Sequence, residues 1–529
     1  MITLQTNKCL MVAFVTLTAP LAQAEVKPAQ LFTDHMVIQR EAQAAVWGWA
    51  DPDEKVTVSG SWGRQASAVA DAKGKWHVTL QTPPAGGPHT LTLKGKNTVE
   101  IHNVMSGDVW LCSGQSNMAM MVQKCANAEE EIAAGDYPLV REFKIRIHPT
   151  MTVANDVEAD WQACSPETVG RFSGTAYYTA RELHKELQVP IGIITAAGGG
   201  TLIESWMDAA YLKDDHWAQH EIEIREKKAV GYSEEKAIAE HRRKLEAWKI
   251  AAAKAKAENK PLPRRPGREL DPHKDKNYPG NLYRGMIAPI VGYGVKGVIW
   301  YQGESNAFMP GRAEYYDVQL RRLIENWRRD WQSDELPFYF VQLPNFKQPQ
   351  TEPNIEYSGW PLCRESFLQV RLSTPNTGMA VTIDIGEADD IHPKNKQDIG
   401  WRLASTILNM TYGKGTPTSP VYVRHEIEGN KVVLFFDYTG SGLMAKGNKL
   451  ESFAIASSDK KFVWANAVIE TRGGKDVVVV SSPDVKTPAS VRYGWALNPS
   501  RANLYSKEGF PASPFRTDSF DLVNTESEE

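Results

Sequence analysis

A chain of 529 residues is longer than one hydrophobic core normally organises, so about two to four domains are expected. Its 42% hydrophobic and 23% charged residues are those of a soluble globular protein. A formal net charge of -4 is small for this length and argues against a nucleic-acid partner, because phosphate-backbone affinity rests on clustered Lys and Arg.

The first 24 residues read as a secretory signal peptide. Lys8 precedes a mostly apolar stretch, and Ala22-Gln23-Ala24 offers a small-x-small cleavage site. The stretch is short for a membrane span, and no other run is apolar enough to cross a bilayer. A periplasmic or extracellular protein is therefore expected. Cys9 leaves with the leader. Cys112, Cys125, Cys164 and Cys363 remain, and they suit two disulfides or free buried thiols equally; their spacing fits no zinc pattern.

Residues 25–105 alternate apolar and polar side chains in short runs, such as Val46-Trp47-Gly48-Trp49 and Trp76-His77-Val78-Thr79-Leu80. Gly, Pro and Asp clusters separate these runs, which predicts a β-sandwich. Residues 106–415 then alternate buried strands with amphipathic helices. Asp108-Val109-Trp110-Leu111-Cys112 and Ile191-Gly192-Ile193-Ile194-Thr195-Ala196 are strands. Residues 312–331 form a helix with Tyr316, Leu320, Leu323 and Trp327 on one face. The pattern predicts a largely parallel sheet covered by helices. A charged insertion at about 211–280 interrupts it, with Ser233 capping a helix that runs to about Glu258. Residues 416–520 return to β, with Val432-Val433-Leu434-Phe435-Phe436 and Val477-Val478-Val479-Val480 as strands, and 521–529 form an acidic tail.

Three segments carry chemistry. The first strand runs into Gly114-Gln115-Ser116-Asn117-Met118, which places Ser116 at the carboxyl edge of the sheet, where open α/β folds hold their ligands. A serine hydroxyl barely ionises near neutral pH and needs a base within reach. His392, in Asp389-Asp390-Ile391-His392-Pro393, supplies one, with Asp389 or Asp390 to orient it and Asp384 as a third candidate acid. The oxyanion formed on attack needs donors aimed at it. Gly199 or Gly200 can bring a backbone N–H close, and Gln302 or Asn306 can offer a side-chain amide.

These blocks resemble the sialate O-acetylesterase family, within the SGNH-type hydrolases. The resemblance covers nearly the whole chain after the leader. It runs through Gly114-Gln115-Ser116-Asn117-Met118, Gly199-Gly200-Thr201-Leu202-Ile203-Glu204-Ser205-Trp206-Met207 and Tyr301-Gln302-Gly303-Glu304-Ser305-Asn306. It continues through Asp384-Ile385-Gly386-Glu387 into Ile391-His392-Pro393-Lys394-Asn395-Lys396. It implies an SGNH-like three-layer parallel-sheet domain flanked by β-sandwich domains. It also implies hydrolysis of acetyl esters on sugars through an acyl-serine intermediate, with no metal or organic cofactor. Ser305 stands where the wider SGNH pattern has Asn, so Gln302 or Asn306 must substitute. Gln115, Glu304 and Trp206 are expected to face an O-acetylated sugar, with Trp300, Tyr301 and Phe308 as further aromatic candidates, although Trp300 lies inside a strand. The sugar can be sialic acid or a plant polysaccharide such as acetylated xylan, xyloglucan or pectin. The competing readings are a carbohydrate-binding protein with an inactive hydrolase core and, less favoured, a peptidase.

Overall fold

The structure is a computed structural model that describes residues 25–309, 311–354 and 358–520. The expected leader and the acidic tail lie outside the described residues. Near the amino end, Gln43–Trp49 and Lys75–Gln81 pair antiparallel, and their burial alternates residue by residue, as a half-buried strand requires. Lys55–Gly60, Arg64–Val69 and Gly86–Lys94 form part of a second sheet. Val46, Trp76, Val58, Leu91 and Ile101 fill the space between the two.

The second sheet does not end there. Thr98–Gly114 is one strand of 17 residues. Its first half pairs antiparallel with Gly86–Lys94 and its second half lies between two parallel strands, Ile191–Ala197 and Gly297–Tyr301. The change at residue 106, read in the sequence as a domain boundary, is the point where this strand exchanges partners. Asp108 sits at that point. It is fully buried and accepts from Arg40 Nε (2.9 Å) and Nη2 (3.0 Å), Gln39 Nε2 (3.1 Å) and Tyr412 Oη (2.7 Å). Burial pushes its carboxyl up, but the Arg40 guanidinium and these hydrogen bonds outweigh burial and hold it below its ordinary value.

Across the central part the strand order is Trp161–Ala163, Val140–Lys144, Ile191–Ala197, Thr98–Gly114, Gly297–Tyr301, Phe338–Val341, Thr377–Ala380. All neighbours are parallel except the edge strand Trp161–Ala163, so the sheet is mixed rather than purely parallel. Both faces are buried, as the continuous apolar strands demand. Cys112, Ile193, Ile299 and Tyr339 pack under helices Gly174–Leu187 and Lys396–Met410. Leu111, Val298, Trp300 and Phe340 pack under Arg312–Asp330 and Gly359–Ser373. Tyr316, Leu320, Leu323 and Trp327 all reach the core, as their spacing predicts.

The insertion forms helices His216–Val230 and Glu234–Ala257, the second capped by the Ser233 hydroxyl. Beyond the sheet, Val421–Glu428, Lys431–Asp437, Lys475–Ser481 and Asn466–Arg472 make an antiparallel sheet. The fully buried Arg364 joins this part to the centre by donating to the carbonyls of Leu343, Pro344, Ala496 and Leu497. Cys112, Cys125, Cys164 and Cys363 are all buried and free, so the disulfide alternative is not taken up.

Candidate active site

Ser116 opens the short helix Ser116–Ala119 at the carboxyl edge of the long strand. Gly114 makes the turn possible. Its φ is +138°, and a Cβ there would lie 2.0 Å from the Tyr301 carbonyl oxygen, so only glycine fits between the strands. The Gln115 amide donates to that same carbonyl at 2.9 Å, which fixes where Ser116 leaves the sheet. Ser116 is half-buried, while Asn117 and Met118 beside it are buried.

Two loops converge on the serine. The strand Ile191–Ala197 ends at Gly198, whose amide is held by the Gly114 carbonyl at 3.0 Å. Gly199 follows, and a Cβ on it would stand 3.4 Å from Ser116 Cβ. Among the described residues, neither the Ser116 nor the Gly199 amide has a protein acceptor. Two unpaired N–H groups at the start of a helix and in a glycine turn form the kind of pair that stabilises an acyl oxyanion. Gly200 is the left-handed residue of the turn, with φ +64°.

From the other side comes the loop ahead of helix Lys396–Met410. Asp390 Oδ1 accepts from His392 Nδ1 (3.1 Å) and from the His392 amide (2.9 Å). The amide bond, then the imidazole, holds the Asp390 carboxyl below the ordinary carboxylate range. Asp389, its neighbour, is exposed and has no such bond. Of the two acids read in the sequence, Asp390 is the one that reaches the imidazole. Asp384 is committed elsewhere, accepting from Arg402 at 2.6 and 2.8 Å and from Tyr505 at 3.0 Å.

A buried trio ties the serine turn to the His392 loop. Asn117 Nδ2 donates to Glu304 Oε1 and, at 3.1 Å, to the carbonyl of Ile391, next to His392. Asn117 Oδ1 accepts from Lys396 Nζ at 2.6 Å. Burial pushes the Glu304 carboxyl up and the Lys396 ammonium down to about 8. Asn117 and Lys396 stand inside the recognised blocks, yet sequence reasoning gave them no role. Their flanking motifs were the only signal.

Several expectations need correction. Gln302 and Asn306 are not aimed at Ser116. Gln302 Nε2 donates to the Thr201 carbonyl (2.9 Å) and to Asn306 Oδ1 (2.8 Å), and its Oε1 accepts from Tyr316 (2.6 Å). Asn306 Nδ2 donates to Glu204 (3.2 Å), inside a buried polar cluster with Arg312. Gln115, Glu304 and Trp206 are no more than 3% exposed, so they do not face a sugar. Gln115 Oε1 accepts from the Gly303 and Ser305 amides, and Trp206 Nε1 donates to Thr201 Oγ1 at 3.1 Å. Trp206, Trp300 and Trp327 instead form a buried edge-to-face row. Phe308 alone of the named aromatics is exposed, resting against Trp360.

A family model described as "Carbohydrate esterase, sialic acid-specific acetylesterase" matches residues 267–409. The sialate O-acetylesterases of Mus musculus and Homo sapiens are 29% and 27% identical to the chain over 92% of its length, and the matches cover 93% and 91% of those proteins. The crystal structure of a carbohydrate acetylesterase from Xanthomonas citri matches with a TM-score of 0.78 at 35% identity, covering 94% of this chain and 100% of that one.

Proposed function

Because the chain belongs to the sialate O-acetylesterase family of carbohydrate esterases, and is therefore a carboxylic-ester hydrolase, we propose that Ser116, His392 and Asp390 carry its reaction on O-acetylated sugars. The observation that carries this reading is the meeting at the Ser116–Asn117 turn of the Gly199 turn, beside Ser116, and the His392 loop, whose Ile391 carbonyl accepts from Asn117, with Asp390 bonded to His392 Nδ1.

In this mechanism Ser116 Oγ attacks the acetyl carbonyl and His392 Nε2 takes its proton. The Asp390 bond to Nδ1 selects the tautomer whose Nε2 is free to do so, and its charge favours the imidazolium that forms. The developing oxyanion lies against the amides of Ser116 and Gly199. The imidazolium returns the proton to the sugar oxygen as the C–O bond breaks. Water, deprotonated by the same imidazole, then attacks the acetyl-serine, and the imidazolium returns that proton to Ser116 Oγ as the acyl C–O bond breaks and acetate leaves.

The acceptor sugar in this reading is a sialic acid. The description of the family model and the names of the mammalian relatives support it. The leader-like first 24 residues support an exported enzyme. Acetate release from O-acetylated sialic acid and from acetylated xylan and xyloglucan, with Ser116→Ala as control, tests the proposal. The expected result is release from the sialic acid and at least a ~1000-fold loss in the variant. Release from xylan or xyloglucan alone would move the acceptor to hemicellulose. Full activity in Ser116→Ala would refute the site.

A further inference from the structure

The charged insertion returns to the sheet edge through residues 271–281, and this strap is firmly held. Tyr278 Oη donates to Glu226 on the helix His216–Val230 at 2.8 Å. Asn281 Nδ2 donates to the carbonyls of His273 (2.8 Å) and Asp275 (2.9 Å), and the Asp275 carboxylate accepts from the Asn277 amide at 2.7 Å. The helix is itself anchored in the core, where Arg312 bridges Glu221 and Glu204.

Two successive side chains of the strap meet two successive carbonyls of the glycine turn. Lys276 Nζ donates to the Gly199 carbonyl, and Asn277 Nδ2 donates to the Gly200 carbonyl at 3.0 Å. Asn277 Oδ1 also accepts from the Leu202 amide at 2.8 Å. Each peptide unit is planar, so these two bonds fix the units that follow Gly199 and Gly200, while the preceding unit, which carries the Gly199 N–H, is held at the Gly198 carbonyl by Thr201 Oγ1 at 2.9 Å; strap and Thr201 together leave the turn around Gly199 little freedom. Glycine populates more backbone conformations than any other residue, so three in a row have little reason of their own to hold one shape.

We infer that Lys276 and Asn277 are positioning residues, which hold the turn at 198–201 in the shape that keeps the Gly199 amide facing the acyl oxygen on Ser116. The inference rests on the serine-esterase reading. It gives the insertion a catalytic duty: the segment that most resembles surface decoration in the sequence fixes half of the oxyanion site.

The test is Asn277→Ala, with Lys276→Met and Lys276→Arg beside it, in the full chain. Hydrolysis of p-nitrophenyl acetate is resolved into kcat and KM, and amide hydrogen exchange is followed across residues 198–203. The expected result for Asn277→Ala is a kcat lower by about 10- to 100-fold with KM within about threefold, below the cost of deleting an oxyanion donor outright. Exchange in the turn should rise at least about tenfold, and Lys276→Arg should keep more of the rate than Lys276→Met. Unchanged exchange in 198–203, or a kcat within twofold of the parent, would overturn the inference. If the parent hydrolyses no acetate ester, the functional proposal fails, while the exchange measurement still decides whether the strap holds the turn.

Discussion

Replacing Asp390 with Asn separates the two acids that the sequence leaves equivalent. Its effect can be worked from one distance. At 3.1 Å between His392 Nδ1 and Asp390 Oδ1, Coulomb's law gives about 1.3 kcal/mol in bulk water and about 5 kcal/mol at an effective dielectric of 20. The side chains of His392 and Asp390 are 39% and 45% exposed, so solvent screens the pair and the value falls between these limits, toward the lower. About 2–3 kcal/mol of lost imidazolium stabilisation corresponds to a ~30- to 150-fold fall in kcat. That is well short of the loss for a deeply buried triad acid, about 10,000-fold. Asp389→Asn should stay within about twofold, because Asp389 makes no bond to the imidazole. The assay is kcat and KM on p-nitrophenyl acetate near pH 7, with thermal unfolding to verify that each variant is folded. A larger loss from Asp389→Asn than from Asp390→Asn would refute the assignment, as would an Asp390→Asn enzyme within threefold of the parent.

Gln302→Ala should act on stability more than on the chemical step. It strands the buried Thr201 carbonyl and takes one partner each from Tyr316 Oη, which keeps the Gln302 main-chain carbonyl, and Asn306 Oδ1, which keeps the Ile203 amide, at about 1–3 kcal/mol for the stranded group; a fall in kcat with an unchanged melting temperature would contradict the geometry. Asp384→Asn should cost about 3–5 kcal/mol, because the buried Arg402 loses its counter-charge. Burial pushes the Asp384 carboxyl up, but Arg402 outweighs it and leaves the folded value depressed. Its contribution is therefore complete above the ordinary carboxylate pKa of about 3.9 and is lost as pH falls through the depressed value. Urea unfolding followed below about pH 4 should show a shallower acid-side loss in the variant than in the parent; equal slopes would argue against the pair. Rates on model esters should fall steeply beyond butyrate, and equal turnover of acetate and octanoate esters would favour a lipase-like site.

The sequence exposed what depends on one residue and its near neighbours. An apolar strand ending in Gly-Gln-Ser placed Ser116 at a sheet edge, and the helix carrying Tyr316, Leu320, Leu323 and Trp327 followed from spacing alone. What it hid depends on partners brought from elsewhere. An amide that donates to a substrate reads the same as one that donates to a buried carbonyl, so Gln302 and Asn306 looked like oxyanion donors. Asp389 and Asp390 are adjacent in the chain, and only the turn of the backbone decides which faces the imidazole. An aromatic residue beside a glycine block reads as a sugar platform until Trp206 is found buried edge-on against Trp300. Lys276 and Asn277 carried no signal, because the carbonyls they hold lie 77 residues away in the chain.

The strand Thr98–Gly114 belongs to two layers of the molecule at once, and this bears on how the protein can be cut. A chain begun at residue 106 would lose the half of that strand that hydrogen-bonds Gly86–Lys94. It would also lose Arg40 and Gln39, two of the three side chains that compensate the buried charge of Asp108. Five residues separate Asp108 from Gly114, and the same backbone continues into the serine. The amino-terminal sandwich is thus a splint for the nucleophile, and attempts to isolate a minimal esterase should keep residue 25 onward rather than start where the composition changes.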